Sequence, residues 1–205
     1  MPNTYTVTVV RIGGRTVMFD SGNGTTGGNP NVGMLAANLK DAGLDPGKLD
    51  AIVVTHFHPD HIYGLLGPEN AQVYANTEII VPDAEYAYWS NPAVIATLPE
   101  ARQGIAKRVQ ATMPQWKNLK RHSGAQDVVA GIKAVPTPGH TPGHTSYQMG
   151  SGNAQLLVLG DVTSIPAINL RNPGWHVMFD QDATVGEKPR RAPFGRALAD
   201  KLSLA

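Results

Sequence analysis

The strongest constraint on this chain lies at residues 51–61. Ala51-Ile52-Val53-Val54 is wholly apolar, the pattern of a strand buried on both faces. It runs without a break into Thr55-His56-Phe57-His58-Pro59-Asp60-His61, which puts three of the chain's seven histidines within six residues and calls for a cause. Imidazole is the commonest side-chain metal ligand, and carboxylate complements it. In an extended backbone His56 and His58 point to one side. Pro59 then forces a bend that aims Asp60 and His61 at a second point nearby. One segment can therefore feed two adjacent ions.

Two later segments extend the set. In Pro138-Gly139-His140-Thr141-Pro142-Gly143-His144, rigid Pro and permissive Gly shape a turn whose backbone can pass close to an ion. One of its two histidines reads as a ligand. Asp161 follows the apolar run Leu156–Leu159 after Gly160. An Asp there is ordinarily a turn or cap residue; as an oxygen donor it could instead bridge two cations.

Around these segments the pattern alternates strands and helices. Thr4–Val10 and Arg15–Phe19 read as a hairpin closed by Gly13-Gly14, and Asp20–Pro30 as a polar loop. Met34–Ala42 reads as a helix closed by Gly43. Gln72–Ala75, Glu78–Val81, Ile132–Pro136, Ser146–Met149 and Leu156–Leu159 read as strands. Helices are expected near Tyr86–Trp89, from Pro99 through Arg108, and over Arg190–Leu202 with an interruption at Pro193–Gly195. This order predicts two sheets covered by helices in a single domain over residues 1–205.

Composition narrows the function. Seventeen Lys and Arg against sixteen Asp and Glu leave a net charge of +1, so no nucleic acid partner is expected. With no cysteine, an Fe–S site, a thiol nucleophile and a disulfide framework are excluded. No run approaches the roughly 18 apolar residues of a membrane span. Met1–Tyr5 lacks the basic-then-apolar start of a secretory signal. No G-x-S-x-G elbow is present to supply a serine nucleophile.

His56-Phe57-His58-Pro59-Asp60-His61 resembles the H-x-H-x-D-H signature of the metallo-β-lactamase fold superfamily. The Pro-Gly-His-Thr turn and the later Gly160-Asp161 match its next two ligand segments in order and spacing. Arg171–His176 and Phe179-Asp180 look most like the branch containing methyl parathion hydrolase and related lactonases. The resemblance implies an α+β fold, an αβ/βα four-layer sandwich. It implies two divalent ions, zinc first, with Mn, Fe or Co as substitutes. His56, His58 and His140 would hold one ion, Asp60 and His61 the other, and Asp161 would bridge them. His144 is then read as support behind the site, and His122 as a solvated surface residue.

One element of that pattern is missing. The superfamily supplies a further His from a loop after the last long helix. His176 comes too soon after Asp161 to serve, and Leu202–Ala205 falls just short of the place. The expectation is a fold truncated at its C-terminus, without the last strand and ligand loop, as a fragment of a form that continues. The alternative is a chain that ends naturally here, with a weakened or empty second metal position.

The implied chemistry is hydrolysis of a lactone, aryl ester or organophosphotriester by a metal-activated hydroxide, with Asp60 as the catalytic, proton-handling carboxylate. Trp89 is singled out as the substrate-binding aromatic among Phe57, Tyr63, Tyr86, Tyr88, Trp175 and Phe179. A small-molecule substrate, no membrane partner, a homodimer and an exported or periplasmic location complete the implied picture. A β-lactamase, an iron-dependent persulfide dioxygenase and an inactive metal-binding fragment are the alternatives.

Overall fold

The computed structural model describes residues 5–25, 31–152 and 154–205. Thr4, the expected start of the first strand, and residues 26–30 of the polar loop lie outside them.

The first sheet has the spatial order β1 (Thr8–Ile12), β2 (Arg15–Phe19), β3 (Ala51–Val53), β4 (Glu78–Pro82), β5 (Leu119–His122). The β1–β2 hairpin is antiparallel and β2 to β5 run parallel. The second sheet has the order β10 (Ser203–Leu204), β9 (Ala154–Val158), β8 (Thr145–Ser151), β7 (Ile132–Pro136), β6 (Asp127–Val129). It is antiparallel apart from the parallel pair β9–β10.

Side chains alternate across the strands of the first sheet and feed two cores. Val17, Phe19, Ala51, Val53 and Ile80 pack against Val129, Ile132, Ala134 and Tyr147 of the second sheet. Met18, Ile52, Ile79 and Val81 point the other way, onto helices α1 (Leu35–Asp41), α3 (Asp83–Ser90) and α5 (Glu100–Thr112). Two short helices, α2 (Pro59–Ile62) and α4 (Val94–Thr97), lie between these. That two-sided burial is why Ala51–Val54 carries no polar residue. On the far face of the second sheet, Leu157 and Leu159 pack with Ala197 and Leu202 at the end of α7 (Ala183–Asp200), which follows the short α6 (Pro166–Asn169). Helices, sheet, sheet and helix make the four layers expected. No helix among the described residues is long and apolar enough to cross a membrane.

α1 ends in a Schellman motif: Gly43 N–H donates to the Lys40 carbonyl and Leu44 N–H to the Leu39 carbonyl. α7 runs unbroken through Pro193 and Gly195, against expectation, because Phe194 and Ala197 pack into the third core. Gln72–Ala75 forms no strand and contributes only an isolated bridge from Gln72 to Leu66. The strands β5 and β6 escape a search for apolar alternation. β5 carries exposed Lys120 and Arg121 because it is the sheet's edge, where charge discourages further pairing. Ser203–Leu204 form a strand where none was expected.

His122 also departs from expectation. Strand alternation turns Arg121 outward and His122 inward, where it is 5% exposed rather than solvated. Tyr147 donates its hydroxyl to the Val54 carbonyl at 2.9 Å, so His122 Nε2 is the donor in its 2.9 Å contact with Tyr147. Its Nδ1 is then buried without a partner among the described residues. Burial holds the imidazole pKa down to about 4, against 6.5 for a free His. Between those values the unfolded chain binds the proton and the folded one does not, so stability falls as pH drops from 6.5 toward 4. His122→Gln is expected to flatten that part of the acid slope. Thermal melts of both proteins at pH 7, 5.5 and 4.5 check it, and parallel slopes would count against this account.

Candidate metal centre

The residues singled out from the sequence sit where the strand ends of the first sheet meet the loops of the second. His56 follows β3 and is fully buried. His58 is the N-cap of α2, with Pro59 at its first position, so Asp60 and His61 fall on the helix's opening turn. His140 lies on the turn between β7 and β8. Gly139 in that turn has φ 137°, and a Cβ there would come within 2.2 Å of Gly186 Cα. Only glycine lets the turn approach α7 so closely.

The structure brings these side chains together. His56 Nε2 lies 3.1 Å from His58 Nδ1, and His58 Nδ1 lies 2.8 Å from His140 Nε2. His61 Nε2 lies 3.3 Å from Asp161 Oδ1, and His140 Nε2 lies 3.3 Å from Asp161 Oδ2. Asp60 Oδ2 is 3.4 Å from His61 Nε2. Two donor sets follow, His56/His58/His140 and His56/His61/Asp161, each with its ligand atoms within 4.8 Å of one another. All six residues named from the sequence therefore share one site, and Asp161 reaches both sets.

The far ring nitrogens explain why the near ones are available. His61 Nδ1 is held by Asp20 Oδ2 at 2.7 Å, and His140 Nδ1 by Asp180 Oδ1 at 2.9 Å. Thr55 donates its hydroxyl to Asp20 Oδ2, so its oxygen accepts from His56 Nδ1 at 3.0 Å. With those nitrogens protonated, the Nε2 lone pairs of His56, His61 and His140 converge on the site. The lone pairs of His56 and His140, within 4.8 Å of each other, cannot satisfy one another; a cation between them can. The donor set fits divalent ions on that ground.

Electrostatics agrees for two of the imidazoles. Burial, with the neighbouring imidazoles, holds His56 well below the ordinary range and His58 down to about 3, so both are neutral donors. For His61 burial pulls the same way, but the carboxylates of Asp20 and Asp161 prevail and raise it well above, so an ion at its Nε2 would have to displace a proton. Burial opposes ionisation of Asp161, yet His61 and then His140 hold it far below the usual carboxylate range.

His144 supports the site from behind, as expected. Its Nδ1 meets Thr137 Oγ1 at 2.8 Å and its Nε2 accepts from Asp161 N–H at 3.0 Å. His176 joins neither donor set; its Nδ1 is 3.8 Å from Asp180 Oδ2. Trp89 is a correction. It is 1% exposed, donates its indole N–H to Glu85 Oε1 at 2.6 Å, and packs its ring behind His58 instead of lining open space. Phe57 is likewise core, whereas Trp175 and Phe179 are exposed near Asp180.

Sequence reading missed Asp20, Glu85, Asp180 and Arg190. Arg190 is buried on α7 and donates to the carbonyls of Val162, Pro173 and Trp175 and to Asp180 Oδ2. It thereby ties residues 162–180 to the helix and fixes the carboxylate that orients His140. Asp20 carried one faint signal: it directly follows β2, the neighbour of the strand β3 that leads into His56.

The sequence model of the metallo-beta-lactamase superfamily matches residues 2–192. An N-acyl homoserine lactonase of Bacillus sp is 29% identical over 152 residues, 74% of this chain and 53% of the relative. One from Bacillus cereus is 31% identical with the same shares covered. The chain thus spans about half the length of the curated relatives it matches. Among solved structures, the hydrolase AbOPH of the beta lactamase superfamily superposes with a TM-score of 0.88 at 26% identity, covering 97% of this chain and 70% of that one. AidC, a dizinc quorum-quenching lactonase in complex with its N-hexanoyl-L-homoserine product, gives 0.85 at 25% identity, covering 96% and 70%.

Proposed function

Because the chain belongs to the metallo-β-lactamase superfamily, we propose that it is a metal-dependent hydrolase that opens N-acyl homoserine lactones, with zinc as its ion. The observation that carries this is the convergence of two donor sets joined by one carboxylate, Asp161. The lactonase relatives and the dizinc AidC structure support the choice of substrate class and metal.

His56, His58 and His140 would hold one ion; His61, Asp60 and Asp161 would hold the second. Bound divalent ions supply Lewis acidity, activating water near neutral pH and polarising an ester carbonyl. The remaining work belongs to the chain. Asp20, Thr55 and Asp180 keep the imidazoles in the tautomers that face inward. Asp60, a quarter exposed, is the carboxylate placed to receive a proton from the attacking water. Water adds to the carbonyl carbon, the ring C–O bond breaks, and that proton passes to the departing alkoxide. The products are an alcohol and a carboxylic acid, which releases the second water proton to solvent and leaves as the carboxylate, so no nucleophilic side chain is consumed.

Bound metal should be quantified in the purified protein, followed by assays on acyl-homoserine lactones, dihydrocoumarin, paraoxon-type phosphotriesters and nitrocefin. Chelator-sensitive lactone hydrolysis is the expected result. Turnover of the phosphotriester or of nitrocefin alone would replace the substrate assignment, and iron as the sole metal would favour the dioxygenase. Metal without any turnover would sink the catalytic reading.

A further inference from the structure

Glu85 is the charged side chain that the site's chemistry leaves unused. It sits in the first turn of α3, is 0% exposed, and accepts four hydrogen bonds, all from uncharged donors. Oε1 takes Phe57 N–H at 2.9 Å and the Trp89 indole N–H at 2.6 Å. Oε2 takes the Thr141 hydroxyl at 2.8 Å and Gly143 N–H at 2.9 Å. Phe57 lies between His56 and His58, and Thr141 follows His140 in the chain. One oxygen is thus bonded to the loop that carries two ligands of the first set, and the other to the turn that carries the third. The approach is close at the backbone too: a Cβ on Gly143 would lie 2.0 Å from Glu85 N.

Burying a carboxylate is costly, and closing a core gap with apolar side chains is often more stable. A carboxylate does what no apolar residue can: its two oxygens join two separate backbone segments at fixed hydrogen-bond lengths. We propose that Glu85 is a positioning residue for the first metal site, a strut that sets the spacing between the His56/His58 loop and the His140 turn. It hydrogen-bonds neither His61 nor Asp161, so it acts on the His56/His58/His140 set directly and reaches the other set only through the shared His56. This inference rests on the metal-binding reading of those histidines.

Zinc is titrated into the chelator-stripped 205-residue chain against a competing chromophoric chelator, for the wild type, Glu85→Gln, Thr141→Val and Ile132→Ala. The amide of Glu85→Gln keeps the shape but turns N–H groups toward donors. Ile132→Ala opens a cavity in the core between the sheets and serves as the yardstick for plain destabilisation. Zinc affinity of Glu85→Gln is expected to fall by about 10- to 100-fold, the range for residues that orient ligands, with a shifted absorption band in the cobalt-loaded protein. Ile132→Ala, at a similar loss in melting temperature, should bind zinc like the wild type. Thr141→Val, which removes one hydrogen bond, should lose about 3- to 10-fold and decides the matter if Glu85→Gln fails to fold. Unchanged zinc affinity in Glu85→Gln or Thr141→Val, or an equal loss in Ile132→Ala, overturns the strut. A wild type that binds no zinc overturns the metal centre itself, so the two failures are told apart.

Discussion

Asp161→Ala should strip metal from both donor sets and lower lactone hydrolysis by more than about 100-fold, beyond the 10- to 100-fold typical of residues that only support ligands. The reason is geometric. Asp161 Oδ1 faces His61 Nε2 and its Oδ2 faces His140 Nε2, each at 3.3 Å, so one side chain serves both sets. Its removal leaves the second position with His56, His61 and the single carboxylate of Asp60, and takes away the carboxylate that faces both sets. The backbone should hold, because Asp161 N–H, not its side chain, is what His144 grips. Metal content by mass spectrometry and kcat/KM on an acyl-homoserine lactone check the prediction. Asp161→Asn is the companion variant, since it keeps the shape and loses the charge. Retention of both metals with activity near wild type in either variant would remove the bridging role.

The candidate ligands were legible in the sequence because they are local. His56, His58, Asp60 and His61 fall on a strand end and one helical turn, so spacing alone aims them. The Gly-Pro turn around His140 and the strand-end Asp161 are local signals too. Their buttresses are not. Asp20 meets His61 across 41 residues, Asp180 meets His140 across 40, and Glu85 meets Phe57 across 28. No periodicity encodes such pairings; folding alone supplies them. Trp89 misled for a related reason. An indole in an insertion looks available for substrate until its N–H proves committed to Glu85 four residues earlier. The fold follows the same division. Strands buried on both faces announce themselves by apolar runs, whereas the edge strand β5, with Lys120 and Arg121 outward, does not.

Metal removal should cost the fold as well as the chemistry. Three imidazole nitrogens meet at separations of 2.8 and 3.1 Å; with the far nitrogens of His56 and His140 committed to Thr55 and Asp180, His58 Nδ1 can donate to only one of its two neighbours, and at least one lone pair is left unmet when nothing positive lies between them. An ion that binds only the folded chain stabilises it by about 4 kcal/mol when its concentration is about 1,000 times Kd. For a chain near this size, each kcal/mol moves the melting temperature by about 2–4 °C. Saturating chelator is therefore expected to lower the melting temperature by roughly 8–16 °C. The effect should be reversed by added zinc and should vanish in a His58→Ala/His140→Ala double variant, which has little metal to lose. Calorimetry with and without chelator measures it directly. Superimposable melts for a wild type shown to carry metal would mean that the imidazoles accommodate one another without the ion. In that case the helices and the strut at Glu85, not the ion, would be what holds the ligand loops together.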